Sequence, residues 1–251
     1  MGAASRLDPP PPLEPGHTAL FLDLDGTLAA IEPHPGAVGP DALRNQLLGR
    51  VLQALDGRLA VISGRALGDI DRILGGGVAA VAGVHGLDRR RADGERMSDL
   101  APPSLAQARA AMEAAVFPHP GLVLEDKGLA FATHFRQAPE MAAEVADAAG
   151  AVAAAFGLEL QPGDMVVELR PPGHDKGDAV RAFMAEPPFR GFRPVFVGDD
   201  LTDENGFRAA AALGGFGVLV GRSRATDARF RLADVQAVMA WLGAAVRETA
   251  A

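Results

Sequence analysis

Short apolar runs that stop abruptly at polar residues recur along this chain. Thr18-Ala19-Leu20-Phe21-Leu22 is followed by Asp23-Leu24-Asp25-Gly26, the pattern of a buried strand that delivers acids at its C-terminal tip. Leu59-Ala60-Val61-Ile62 stops in the same way at Ser63-Gly64-Arg65, and the run from Val78 to Val84 stops at His85-Gly86. Between these runs, Leu43, Leu47, Val51 and Leu55 recur every four residues, which predicts an amphipathic helix from Asp41 to Asp56 closed by Gly57. A second helix is predicted from Ala66 to Leu74, ended by consecutive glycines. Strand and helix alternate, so parallel βαβ units with right-handed crossovers are expected.

The rhythm changes after Leu87. Arg89 to Asp93 reads as a polar connection and Ser104 to Phe117 as a helix, while Leu122–Leu124 and Leu129–Ala132 flank a hairpin-like turn. A helix over Pro139 to Phe156 and short strands near Leu158–Leu160 and Met165–Leu169 complete a segment without βα alternation. The pattern therefore predicts a separate α+β insert at 88–171, inside a core made of 17–87 and 172–251. Alternation resumes with a helix near Lys176, a strand over Pro194–Val197 ending at Gly198-Asp199-Asp200, a helix over Asp203 to Ala212, a strand at Val218–Val220 and a last helix from Asp234 to Val246. Residues 1–16, with Pro9 to Pro12 and Pro15, are expected to be an unpacked tail, because proline removes amide donors and imposes extended backbone.

Composition narrows the class. The 251 residues are 48% apolar and 22% charged, ordinary values for a globular chain of one large or two modest domains. The 32 acidic side chains outnumber the 24 basic ones, giving a net charge of −8, so nucleic acid is not expected as a partner. An anionic small-molecule substrate then requires a local concentration of Lys, Arg or metal. The absence of cysteine excludes disulfides, thiolate zinc sites and cysteine nucleophiles. No apolar run reaches about 20 residues and the N-terminus lacks a basic-then-apolar pattern, so no membrane association is expected and the reading is cytoplasmic.

The chemistry-bearing residues fall at strand ends, where open α/β sheets bind ligands. They are Asp23 and Asp25, Ser63, Gly64 and Arg65, His85 and Gly86, and Asp199 and Asp200. Carboxylates about 4 Å apart repel by about 4 kcal/mol at an effective dielectric of about 20, so a proton or a cation must sit among them. Oxygen donors without thiolate or clustered histidine favour Mg²⁺. Arg65, Lys176, the Ser63 hydroxyl and neighbouring amides would supply the positive side that phosphoryl transfer needs. Taken singly, Asp-Gly is a common turn dipeptide and Lys176 a plausible surface lysine; convergence of several strand ends is what favours a site. The sequence has no G-x-S-x-G elbow, no G-x-x-x-x-G-K-[ST] loop and no G-x-G-x-x-G fingerprint. A carboxylate nucleophile at Asp23, with Asp25 as general acid and base, is the remaining fit.

At these residues the chain resembles the haloacid dehalogenase superfamily. Asp23-Leu24-Asp25-Gly26-Thr27-Leu28, Ser63-Gly64-Arg65, Lys176 and Gly198-Asp199-Asp200-Leu201-Thr202-Asp203 match its four motifs in order and spacing across 18–246. Within it, Gly83-Val84-His85-Gly86, Glu125-Asp126-Lys127-Gly128, His134-Phe135-Arg136, Glu168-Leu169-Arg170-Pro171 and Asp203-Glu204 resemble trehalose-6-phosphate phosphatases. The resemblance implies a Rossmann-like parallel-sheet core with an inserted α/β cap and Mg²⁺ held by Asp23, the Asp25 backbone carbonyl and Asp199. It also implies phosphate contacts from Ser63, Gly64, Arg65 and Lys176, with Asp200 and Asp203 in support. Glu125, Lys127 and Glu168, with His85 and Gly86, would recognise sugar hydroxyls. By composition alone Glu125-Asp126-Lys127 also reads as a solvated hairpin tip. Two departures stand out: Phe135 where many relatives carry Tyr, and His174-Asp175 before Lys176 where they carry small polar residues. The expected activity is release of phosphate from trehalose 6-phosphate, the last step of trehalose biosynthesis, with substrate supplied by a separate synthase. A phosphatase for another sugar phosphate, a phosphomutase and an inactive sugar-phosphate sensor are the competing readings.

Overall fold

A computed structural model describes residues 7–98, 100–117 and 119–248 of the chain. In chain order the elements begin with β1 (Thr18–Leu22), α1 (Ala42–Ala54), β2 (Leu59–Ile62), α2 (Leu67–Leu74) and β3 (Ala80–Gly83). Then come β4 (Asp88–Arg90), β5 (Arg96–Ser98), α3 (Ser104–Val116), β6 (Val123–Asp126), β7 (Phe131–His134), α4 (Ala142–Phe156), β8 (Glu159–Gly163) and β9 (Val166–Arg170). The chain closes with α5 (Lys176–Met184), β10 (Arg193–Gly198), α6 (Asp203–Ala212), β11 (Phe216–Val220), β12 (Phe230–Leu232) and α7 (Val235–Glu248). They form two units, one of residues up to 97 together with those from 175 onward, the other of 98–174.

The first unit is built on a sheet of order β12-β11-β10-β1-β2-β3-β4-β5. All pairings from β12 to β3 are parallel, and β4 adds antiparallel to β3. The chain runs outward from β1 through β2 and β3, then returns on the other side of β1 with β10. The strand order therefore reverses between β1 and β10, where Leu22 is level with Val197. Both faces are covered, so strand residues are buried in alternation on each side. Leu20, Leu22, Val61 and Val197 pack with Leu48, Val51 and Trp241 from α1 and α7. Phe21, Ile62 and Phe196 pack with Val180, Phe183 and Phe207 from α5 and α6. Ala19, Ala60, Ala80 and Ala82 share this second face with Phe21, Phe183 and Phe189, the small strand side chains leaving volume for the rings.

In the second unit, β6-β7-β9-β8 form a wholly antiparallel sheet. One face carries Phe131, Val167 and Leu169 against Met112 of α3 and Val145, Ala149 and Val152 of α4. The other face is polar, as period-two alternation in a one-sided sheet requires.

Three expectations are corrected and one unforeseen strand is added. The insert runs 98–174 rather than 88–171, because Asp88–Arg90 extends the first sheet instead of crossing between units. Strand β12 carries a charged residue in a run of only three and gave no periodic signal. Leu43 is 78% exposed, and α1 buries Arg44, Leu48 and Val51 instead. At 3.6 residues per turn, four-residue steps drift by about 40° each, so a strict four-residue repeat leaves the core face. Finally, residues 7–16 are not an unpacked tail: Leu13 is only 3% exposed. Asp8 accepts from the Arg231 amide (3.0 Å), Pro11 from Trp241 Nε1 (2.8 Å) and Pro15 from Arg58 Nη2 (2.7 Å). Proline lacks a donor but keeps its carbonyl, so this segment docks wherever the core offers N–H groups. Residues 1–6 lie outside the described part.

Leu13→Ala is expected to lower unfolding free energy by about 2 kcal/mol, the lower end for a buried leucine truncation. Urea denaturation measures this, and an unchanged midpoint would mean the segment contributes nothing to stability.

Candidate active site

Every strand that bears on the site ends at the same edge of the first sheet. Asp23 follows β1 directly, and its amide donates to the Val197 carbonyl at 2.9 Å, tying the β1 tip to β10. Asp199 follows β10. The two acids thus flank the strand-order reversal, where crevices open in sheets of this kind. Lys176 is the first residue of α5. Asp175 holds it there by a reciprocal cap, accepting from the Asp178 amide at 2.8 Å while the Asp178 carboxylate accepts from the Asp175 amide at 3.1 Å.

The Lys176 ammonium donates to Asp23 Oδ1 at 2.8 Å and to Asp203 Oδ1 at 2.6 Å, and all three residues are buried. Asp203 Oδ2 accepts from the Asp200 amide at 2.9 Å, so both its oxygens are committed. Asp200 contributes here through its backbone. Carboxylate oxygens of Asp23, Asp199 and Asp203 lie within 4.8 Å of one another. Burial pushes Asp23 well above the usual carboxylate range; Lys176 opposes this, and Asp203 and Asp199 add to it. Burial, then Asp203, push Asp199 up to about 7. Burial alone would lower Lys176, but Asp203 and Asp23 outweigh it and hold the ammonium above its ordinary range.

Asp199 Oδ1 is buried and accepts no hydrogen bond from the described residues. An orphaned anionic oxygen beside two further carboxylates is what a hard divalent cation would satisfy, and the all-oxygen donor set suits Mg²⁺. With Asp203 spent on Lys176 and the Asp200 amide, Asp23 and Asp199 are the side chains left for it. Gly26 makes this approach possible: its φ is +77°, and a Cβ there would stand 2.0 Å from Asp199 Oδ2. A cavity of about 390 Å³ opens beside it, lined by Gly26, Ile31, Asp199, Val220 and Arg222 among others.

The Asp25 carboxylate does not join the acidic cluster. It accepts from Arg65 Nε at 2.6 Å and Nη2 at 2.7 Å, while Arg65 Nη1 also donates to Asp69. Burial would lower Arg65, but Asp25 and Asp69 overcome it and keep the guanidinium charged. Arg65, expected to face a phosphate, here orients Asp25, a forked pairing that lysine could not reproduce. Ser63 is buried and its Oγ accepts from the Arg65 amide at 3.2 Å. The His85 ring lies over Gly64, where a Cβ would be 2.7 Å from Nε2. Val84 and His85 have φ of 47° and 57°, strained for side-chain-bearing residues, and Gly86 lies beside the Asp175 carbonyl.

The remaining predicted residues share the polar face of the second unit. Lys127 and Glu168 form a buried ion pair, and Glu125 Oε2 lies 2.8 Å from His134 Nε2. Sequence reasoning missed Asp69, legible only as an acid four residues after Arg65, and Arg224. Arg224 pairs with Glu204 and donates to the Asp200 carbonyl at 2.8 Å, pinning the loop after β10.

Comparison with known proteins decides the family. The trehalose-phosphatase family profile matches residues 21–236. The chain belongs to the trehalose-phosphatase family. It is 43% identical over 227 residues to the trehalose-6-phosphate phosphatase of Escherichia coli (strain K12), covering 89% of this chain and 85% of that one. It is 38% identical over 205 residues to the probable trehalose-phosphate phosphatase of Sinorhizobium fredii (strain NBRC 101917 / NGR234), covering 81% and 77%. Among solved structures, a trehalose-6-phosphate phosphatase related protein superposes with a TM-score of 0.78 at 27% identity, over 92% of this chain and 98% of the other. This member is accordingly a phosphatase with a mixed α/β fold. No helix among the described residues is long and apolar enough to cross a membrane.

Lys176→Met should destabilise the protein by about 3–5 kcal/mol in the presence of chelator, because it leaves Asp23 and Asp203 buried without their counter-ion. Urea denaturation checks this; a change below about 0.5 kcal/mol would mean the acids do not depend on the lysine.

Proposed function

We propose that this chain hydrolyses trehalose 6-phosphate to trehalose and inorganic phosphate in two steps, with Asp23 as nucleophile and Asp25 as general acid and base. The observation that carries the chemistry is the placement of Asp23 at the switch point beside the orphaned Asp199 oxygen, with Asp25 held separately by Arg65. The substrate reading is supported by the named activity of the relatives and by Glu125, Lys127 and Glu168 lying on one polar face. An uncharged disaccharide needs convergent donors and acceptors rather than an apolar pocket, and such groups discriminate strongly against analogues that leave them unpaired.

In the first step an Asp23 carboxylate oxygen attacks phosphorus, the bond to the sugar oxygen breaks, and Asp25 donates its proton to that leaving oxygen. In the second, water gives a proton to Asp25 and attacks the aspartyl phosphate, releasing phosphate and restoring Asp23. Mg²⁺ held by the Asp23 and Asp199 carboxylates and the Asp25 backbone carbonyl supplies, when bound, positive charge against the phosphoryl oxygens. Lys176 has spent two of its donors on Asp23 and Asp203 and keeps the third for phosphate. Ser63 and the amides around Gly64 complete that cradle, and Arg65 with Asp69 fixes the direction from which Asp25 delivers its proton. Asp203 anchors both Lys176 and the loop that carries Asp199.

The test is phosphate release from trehalose 6-phosphate beside glucose 6-phosphate and sucrose 6-phosphate, with Mg²⁺ and with chelator. Preference for the first, lost with chelator, is expected, and Asp23→Asn should abolish turnover in a folded protein. A flat profile across the sugars would retain the phosphoryl chemistry and sink the disaccharide; near-wild-type activity of Asp23→Asn would remove the nucleophile. Lys127→Ala and Glu168→Ala should weaken trehalose 6-phosphate far more than an aryl phosphate. Equal losses on both substrates would make the pair structural.

A further inference from the structure

We infer that Gln161, on the edge strand of the second unit, is a sugar-binding residue that sets specificity for a hydroxyl-rich substrate. The inference rests on the sugar-phosphate reading above and adds a residue to it.

The argument begins with register. Glu125 is level with Ala132, Ala132 with Glu168, and Glu168 with Gln161. Residues directly opposite in antiparallel pairs point to the same face, so Glu125, Ala132, Glu168 and Gln161 form one row across the polar face. With strands about 4.8 Å apart, the row spans three intervals, about 14 Å, a length suited to two linked sugar rings rather than one.

The charged groups of this face are largely occupied with one another. Lys127 pairs with Glu168, His134 with Glu125, and Arg170 with Glu159 at 3.2 Å. Gln161 differs. It is half-buried, and among the described residues its amide makes a single hydrogen bond, Nε2 to the carbonyl of its neighbour Pro162, at the long distance of 3.4 Å. That is too long to hold the group firmly. A neutral amide offers two donors and an acceptor on one group, which matches a sugar hydroxyl able to give and receive a hydrogen bond, and it does so without burying another charge. Glu168 and Gln161 thus place a carboxylate acceptor and an amide one strand apart, a geometry for adjacent hydroxyls on one ring.

The experiment is steady-state kinetics of the full chain and of Gln161→Ala with trehalose 6-phosphate and with an aryl phosphate that carries no sugar hydroxyls. Gln161 is a half-buried edge-strand position, and the melting temperature of the variant is measured alongside. The expected result is a loss of about tenfold in kcat/KM for trehalose 6-phosphate, carried in KM, with the aryl phosphate unchanged; tenfold is the scale of one lost hydrogen bond. An unchanged KM for the sugar phosphate overturns the assignment, as does an equal loss on both substrates. A wild-type protein that does not prefer trehalose 6-phosphate to glucose 6-phosphate would instead overturn the parent reading, and with it this one, before any variant is compared.

Discussion

The site depends on one buried cation. Lys176 sits between Asp23 and Asp203, and each of the three would be costly to bury alone, by several kilocalories per mole per ion. Together they bind the first and last parts of the core, because Asp23 lies 153 residues from Lys176 in sequence. The chain leaves the first unit after β5, builds a second unit and returns at α5, where Lys176 meets this acid. Asp203 extends the link to the loop after β10 through the Asp200 amide. Asp199, on that same loop, is thereby presented with an oxygen that nothing among the described residues satisfies. The same lysine thus offsets two buried carboxylates contributed by separate parts of the core.

The two units present polar groups in different ways, and the difference follows from how many faces of each sheet are covered. In the first, helices cover both faces, so the strands must be apolar along their length and can carry chemistry only at their tips. Asp23, Ser63, His85 and Asp199 obey that rule. In the second unit α3 and α4 cover one face of the sheet and leave the other to polar side chains. Polar residues there can stand in rows across neighbouring strands, as Glu125, Glu168 and Gln161 do. Tip chemistry suits a compact phosphoryl group; a row across strands suits an extended molecule with many hydroxyls.

Arginine is used in this protein to orient acids. Arg65 clamps Asp25 with two donors and reaches Asp69 with a third, and Arg224 holds backbone carbonyls of the Asp199–Asp200 loop while pairing with Glu204. A forked, permanently charged donor restrains two or three partners at once. This explains why Arg65, which by sequence could have met a phosphate, serves Asp25 in this arrangement.

Much of this was legible in the sequence. Apolar runs ending at Asp23, Ser63, His85 and Asp199 placed the strand tips, because a strand buried on both faces leaves no alternative position for polar residues. The change of rhythm located an insert, and strand–helix alternation gave the parallel core. Sequence could not show what depends on partners distant in the chain. The hairpin of β4 and the short β12 exist because a sheet edge was available to pair with, not because their residues prefer strands. Leu43 carried the right spacing for burial and lies outside, since helix phase is set by what the helix packs against. The proline-rich start docks through carbonyls that composition cannot weigh. Arg65 and Asp203 had the right identities, but only the folded chain decided which charge each would meet. Periodicity is a local property of the chain, whereas the pairing of buried charges is settled by whichever opposite charge the fold brings within reach.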